Sequence, residues 1–352
     1  MGITRTEAIV ITAIFAVTAV AGTMFYANGA SFSSFLVATA ALAGLAWVVS
    51  FATEQLGERM GPAATGILQS TLGNLPEFFV VLFALRAGQV EVAKFSIIGS
   101  IFANALFVLG LAIIAGAWKS PDKAMRFSPR LPNDTATLML LATFIIATIG
   151  ISASSHDRAS GHITAISVGG AVVLLLVYLA WVWSYLKGGA ESDPAHHAKP
   201  RVSALATIVL LAVAGVCAAF VSDWFVAGLE PAINKLNISA AFAGLVIVAI
   251  AGNAIENVAG VVLAWKGQND LSISVVKNSV AQISVFLFPL LVLVSLTLSH
   301  QLTFQLDPVW IGALALTGII IWQVTGDGVA LVWEGVALVG FYFILAMVAY
   351  FE

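Results

Sequence analysis

Two short stretches place groups capable of cation chemistry inside otherwise apolar runs. Residues 70–81 read STLGNLPEFFVV, and residues 248–262 read VAIAGNAIENVAGVV. Each carries a Gly-Asn pair followed three residues later by a glutamate: Gly73, Asn74 and Glu77 in the first, Gly252, Asn253 and Glu256 in the second. A carboxylate at the centre of a bilayer costs at least about 2.5–3.5 kcal/mol, so it marks a functional site by default. Gly and Pro weaken a helix and release backbone carbonyls, and at membrane depth such backbone persists only where protein or a wet cavity satisfies it. Carbonyls, asparagine amides and two carboxylates make an all-oxygen site. Oxygen suits hard cations, and Ca2+ takes about 6–8 such ligands in flexible geometry. Two glutamates would neutralise one divalent ion, and protons would neutralise them when the ion leaves. The simpler reading is that each glutamate only hydrogen-bonds between helices. That reading weakens for a matched pair.

The match extends beyond the glutamates. Gly73 and Gly252, Asn74 and Asn253, Glu77 and Glu256, and Ser100 and Ser279 all share an offset of 179 residues. The interval from glutamate to serine is therefore 23 residues in both halves. One Gly-Asn-x-x-Glu would be a weak signal, but two with a matched serine argue for duplication.

The elements that position these groups must lie in a membrane. Of 352 residues, 60% are apolar and 9% charged, with a mean hydropathy of +1.02. Soluble domains are about 25% charged, so the chain reads as an all-α integral membrane protein. A helical span needs about 20 mostly apolar residues. Such runs number eleven: 7–25, 32–52, 64–85, 95–117, 135–151, 163–186, 203–222, 239–264, 271–298, 308–324 and 329–351. The first exceeds a usual signal core of about 7–15 residues and reads as a retained helix. The third and eighth runs carry the two motifs. Five spans of offset turn the second copy upside down, the inverted-repeat plan of many secondary transporters. The expected organisation is an extra helix (1–30), a five-helix repeat (31–187), a polar cytoplasmic linker (188–201) and a second, inverted five-helix repeat (202–352).

With the N-terminus inside, ten Lys or Arg fall in inner segments (Arg5, Arg59, Lys119, Lys123, Arg126, Arg130, Lys187, Lys199, Arg201 and Lys266) and four in outer ones (Arg86, Lys94, Arg158 and Lys235). This fits the positive-inside rule and puts the C-terminus outside. A compact chain without a long regulatory extension points to a prokaryotic cell membrane. The net charge of −3 and the lack of a basic, aromatic-interleaved cluster argue against nucleic acid. Single Cys217 excludes an intrachain disulfide. His196 and His197 sit in the linker without further ligands and read as a solvated pair. No cofactor is expected; Ca2+ would be a transported substrate.

The residues also carry a family likeness. GNLPEFFVVLFALRAG followed by GSIFANALFVLGLAIIAG resembles the first repeat of the calcium/proton exchangers of the cation/Ca2+ exchanger superfamily. GNAIENVAGVVLAWKGQND followed by NSVAQISVFLFPLLVLVS resembles the second, and ATEQLGERMGPAATGIL and GDGVALVWEGVALVGFY extend the likeness. The resemblance implies that Glu77 and Glu256 bind Ca2+ and carry protons in turn. It further implies that Asn74 and Asn253 stand beside them, with Ser100 and Asn104, and Ser279 and Gln282, as the polar positions of the next helices. The second and seventh spans would slide against the rest to alternate access.

Some residues depart from that pattern. Asn257 follows the second glutamate where the family often has histidine, and Asn278 stands where glycine is usual. Leu75-Pro76 is reminiscent of the sodium/calcium exchangers, which keeps exchange driven by Na+ or another monovalent ion open as the alternative. Lys277 falls within a span; buried, it would act as a tethered cation or replace a bound ion, and the preferred reading is that it snorkels or faces a wet vestibule. Glu54 and Asp223, near the ends of the sliding spans, attract cations or are simply solvated. Asp327 and Glu334 read as loop residues, and the tryptophans near span ends as an aromatic belt. A channel is a rival class, but broken helices in inverted halves favour a carrier. An enzyme is not expected, since neither His-Glu-x-x-His nor a Ser/Lys dyad occurs. Assembly into a homo-oligomer is left open.

Overall fold

Backbone polar groups have no water partners in a bilayer, so apolar runs of this length satisfy them internally as helices. The computed structural model describes residues 2–57, 59, 72–118, 120–188 and 201–352. The protein is an all-α membrane protein. Among the described residues, nine helices are long and apolar enough to cross a membrane, or ten if one bent pair counts as a span. The expected third run, 64–85, begins outside the described residues and resumes as the helix Leu75–Arg86. Most of the linker, with His196 and His197, also lies outside them.

The helices gather into two compact units, and each half of the sequence contributes to both. The first unit holds Arg5–Asn28, Phe32–Gly57, Leu75–Arg86 and Ala204–Leu236. Phe32–Gly57 packs along Ala204–Leu236, which also carries Leu75–Arg86 on its flank. Thr4 caps the first helix: its Oγ1 accepts from Glu7 N–H at 3.2 Å, and Glu7 Oε2 accepts from Thr4 N–H at 2.8 Å. The Arg201 guanidinium reaches Glu7 Oε1 at 2.8 Å, and Gln55 Oε1 accepts the backbone N–H of Arg201 at 3.0 Å. The start of the second half is thus tied to both leading helices. Ser203 then caps Ala204–Leu236 by accepting from Ala206 N–H at 3.2 Å. The apolar run expected to end at residue 222 continues as helix through Asp223 and Pro231, to a left-handed cap at Asn237. A charge ends a hydropathy window but not a helix.

The second unit contains two long spans of the same build. Val90–Trp118 is α-helical except for a π-helical segment at Ala103–Val108, and Asn269–Ser295 has one at Ile283–Leu287. A third π segment, Ala243–Val248, lies in the span leading to the second motif. Such wide turns are rare and concentrate at functional sites. They look like ordinary helix in a hydropathy pattern, which is why the sequence did not announce them.

Close helix crossings in this unit depend on glycine. A Cβ on Gly99 would lie 2.5 Å from Leu245 Cα, and one on Gly244 would lie 2.8 Å from Val92 O. Gly110 and Gly335 face each other likewise: a Cβ on either would meet the other's carbonyl oxygen at 2.6 or 2.7 Å. Small residues at such crossings let backbones approach where lipid offers no hydrophobic drive to associate. Two three-residue strands, Ala124–Arg126 and Val329–Leu331, pair antiparallel with Met125 opposite Ala330. Asn269 Nδ2 donates to Arg126 O at 3.1 Å, and Ser128 N–H donates to Asp270 Oδ1 at 2.6 Å. Three loops of the unit are thereby joined at one end. Asp327 is a loop residue there, accepting from Val329 N–H at 3.0 Å, whereas Glu334 departs from the loop expectation: it lies in the first turn of the helix Val332–Phe351 and caps it by accepting from Leu331 N–H at 2.7 Å.

Candidate cation site

The first motif breaks its helix where the sequence weakens it. Asn74 is a turn residue with φ −82° and ψ 6°, and Leu75–Arg86 starts directly after it. Pro76 suits this start, because the first turn has no intrahelical use for its missing N–H. Glu77 falls in the same turn, where the positive end of the helix dipole favours an anion. Its side chain is only 2% exposed. Ser222, which belongs to no motif in the sequence, packs on this turn with its Oγ donating to Pro76 O at 3.5 Å. A lone serine in an apolar helix carries no spacing signal that would have found it.

The second motif breaks in the same place. Ala249–Gly252 ends, Asn253 forms a turn, and Ala254–Trp265 begins, with a bend of 59° between the flanking helices. Asn74, Glu77, Gly252 and Asn253 all belong to the first unit. A Cβ on Gly252 would lie 3.7 Å from Glu77 Cβ, so the carboxylate stem of one motif rests on the glycine of the other. Asn74 and Asn253 are buried. Glu256 falls in the first turn of Ala254–Trp265, the same helical position as Glu77, though its side chain lies outside the described residues.

Ser100, Asn104, Ser279 and Gln282 all lie buried in the second unit. Asn104 is the second residue of the π segment Ala103–Val108, and Gln282 immediately precedes Ile283–Leu287. Each wide turn packs against the opposite long span, Ala103–Val108 on Asn269–Gln282 and Ile283–Leu287 on Val90–Phe102. Asn104 Nδ2 donates to Ser100 O at 3.0 Å. Asn104 Oδ1 and Ser279 Oγ are buried without a hydrogen-bond partner among the described residues. Buried polar atoms are nearly always satisfied, so these two are oxygens suited to a ligand.

Lys277 corrects an expectation. It neither snorkels nor meets a vestibule: it is 0% exposed, and its Nζ donates to Thr325 Oγ1 at 3.2 Å. Thr325 Oγ1 in turn donates to Ile321 O at 2.6 Å. The aliphatic stem is enclosed by the packed spans, so it has no route to an interface. Burying an amine on one hydroxyl acceptor opposes folding. Lys277→Met should therefore leave the thermal midpoint unchanged or raise it by a few degrees, while Lys277→Ala, which opens a cavity, should lower it. Thermal unfolding of both variants in one detergent checks this; a lower midpoint for Met than for Ala would refute it.

These features define a multi-pass integral membrane protein built around broken and widened helices, with acidic and amide side chains buried at the breaks. Its family is equally plain. The family model described as sodium/calcium exchanger protein matches residues 30–187 and 206–351, and the chain belongs to that family. It is 30% identical over 331 residues to the vacuolar calcium ion transporter of Schizosaccharomyces pombe, covering 91% of this chain and 79% of that one. It is also 30% identical over 343 residues to the Ca(2+)/H(+) antiporter of Synechocystis, covering 90% and 91%. Among solved structures, that of native YfkE superposes with a TM-score of 0.80 at 23% identity, covering 98% of this chain and 99% of that chain.

Proposed function

We propose that this chain is a secondary antiporter that exchanges Ca2+ for H+ across a membrane by alternating access, with Glu77 and Glu256 taking Ca2+ or protons in turn. The observation that carries the reading is the buried Glu77 carboxylate in the first turn of a broken helix, its stem packed on Gly252 of the second motif. In this reading, Asn74, Asn253, Ser100, Asn104, Ser279 and Gln282 are the neutral oxygen donors that complement the two carboxylates. Such a donor set suits a hard cation that must bind and leave. The exchange named for the Synechocystis relative, similar along nine-tenths of both chains, supports the same coupling.

The inverted halves, 31–187 and 202–352, give the two access states: the second and seventh spans slide against the remainder. The N-terminus is cytoplasmic, the C-terminus outside, and the membrane that of a prokaryotic cell. A second reading, Na+/Ca2+ exchange, is favoured by the family's description and by Pro76 before the glutamate.

Calcium uptake into proteoliposomes separates the two. Uptake should follow an imposed pH gradient at equal Na+ on both sides and fail with a Na+ gradient at equal pH. The reverse result would make the chain a sodium-driven exchanger. Uptake that needs neither gradient, at rates far above a carrier's, would make it a channel.

A further inference from the structure

Leu75–Arg86 and Ala204–Leu236 do not close on each other completely. A cavity of ≈ 680 Å³ runs between them, open along one side. Its walls are almost wholly apolar. Leu75, Phe79 and Phe83 line it from the shorter helix, following the helical repeat of three to four residues, and Phe220 faces them from the longer one. Arg86 and Asp223 are the charged residues lining it. Both are exposed, and among the described residues neither forms an ion pair.

The dimensions and the charges specify an occupant. Leu75 to Arg86 spans about 16 Å of helix rise, close to one leaflet of a hydrocarbon core about 30 Å thick. An exposed cation and an exposed anion on the lining of an apolar slot match a headgroup with phosphate and ammonium. We propose that this groove binds one phospholipid with a primary-amine zwitterionic headgroup. Its phosphate meets Arg86, its ammonium donates to Asp223, and one acyl chain lies among Phe79, Phe83 and Phe220. A quaternary headgroup cannot donate to Asp223, and an anionic one leaves Asp223 facing negative charge. The lipid would wedge the helix that carries Glu77 against the long helix beside it. The inference goes beyond ion exchange and does not depend on which ion drives it.

The floor of the groove offers a clean test. Gly215 lines the groove and a Cβ there meets nothing within 4 Å, so the side chain of Gly215→Leu begins in open space and occupies part of the slot. The purified full chain is exchanged into equal parts of phosphatidylethanolamine, phosphatidylcholine and phosphatidylglycerol and examined by native mass spectrometry. One phosphatidylethanolamine should be retained per chain. Gly215→Leu should lower that retention by about tenfold, and Arg86→Gln and Asp223→Asn should each abolish the headgroup preference. Equal retention in wild type and Gly215→Leu, or an unchanged preference in both charge variants, overturns the proposal. A phosphatidylethanolamine with a photoactivatable acyl chain gives an independent readout on the unaltered chain. Adducts should map to 75–86 and 211–223; adducts only elsewhere overturn the assignment.

Discussion

Glu77→Gln and Glu256→Gln should each lower proton-driven Ca2+ uptake by at least about a hundredfold, the loss that accompanies removal of a charged contact to a buried cation. Glutamine keeps the volume and one carbonyl oxygen, so the helix break survives. What disappears is the negative charge and the place where a proton is carried. The paired prediction concerns stability. A buried carboxylate without its cation opposes folding, and its amide does not. Each variant should therefore melt no lower than the wild type in Ca2+-free buffer while gaining less from added Ca2+, because only binding to the folded state raises the midpoint. Side-by-side flux and thermal-shift measurements check both halves. Wild-type flux in both variants would remove the glutamates from the mechanism.

The second large effect lies away from the site. Gly99→Val should cost about 3 kcal/mol or more and prevent recovery of a monodisperse protein, because overpacking at a rigid contact has no cheap relief. The new Cβ would fall 2.5 Å from Leu245 Cα and 2.8 Å from Leu245 C. These are backbone atoms, held in the π segment Ala243–Val248, so no side chain can rotate away. A Cβ on Gly169 meets nothing within 4 Å, and Gly169→Ala should be neutral. Size-exclusion profiles and melting midpoints of the two variants make the comparison. A well-behaved Gly99→Val protein would mean that the two helices can separate at little cost.

Much of this arrangement is legible in the sequence because bilayer physics leaves few options. Among the described residues, apolar run lengths locate the spans to within a few residues, except where Asp223 hides the continuation of Ala204–Leu236. The motif repeat locates both breaks: Asn74 and Asn253 are turn residues between helices, as their Gly-Asn pairs suggest. What stays hidden is whatever does not alter local composition. A π segment has the same apolar content as the α-helix around it. Lys277 looks like an interfacial lysine until the packing of Thr325 beside it is known. Ser222 acts through a backbone carbonyl 146 positions away in the chain. Each of these is decided by three-dimensional neighbours that no hydropathy window can see.

The wide turns also bear on how such a span changes over generations. An α-helix that gains or loses one residue rotates everything beyond by about 100°, carrying its packed face off its partner. A π segment confines the surplus residue to a single turn and lets the helix on either side keep its face. Val90–Trp118 and Asn269–Ser295 each hold such a surplus next to their polar pair. These are the places where the length of the span is free to drift by a residue among descendants, while the serines before the turn and the packed helix after it stay where they were.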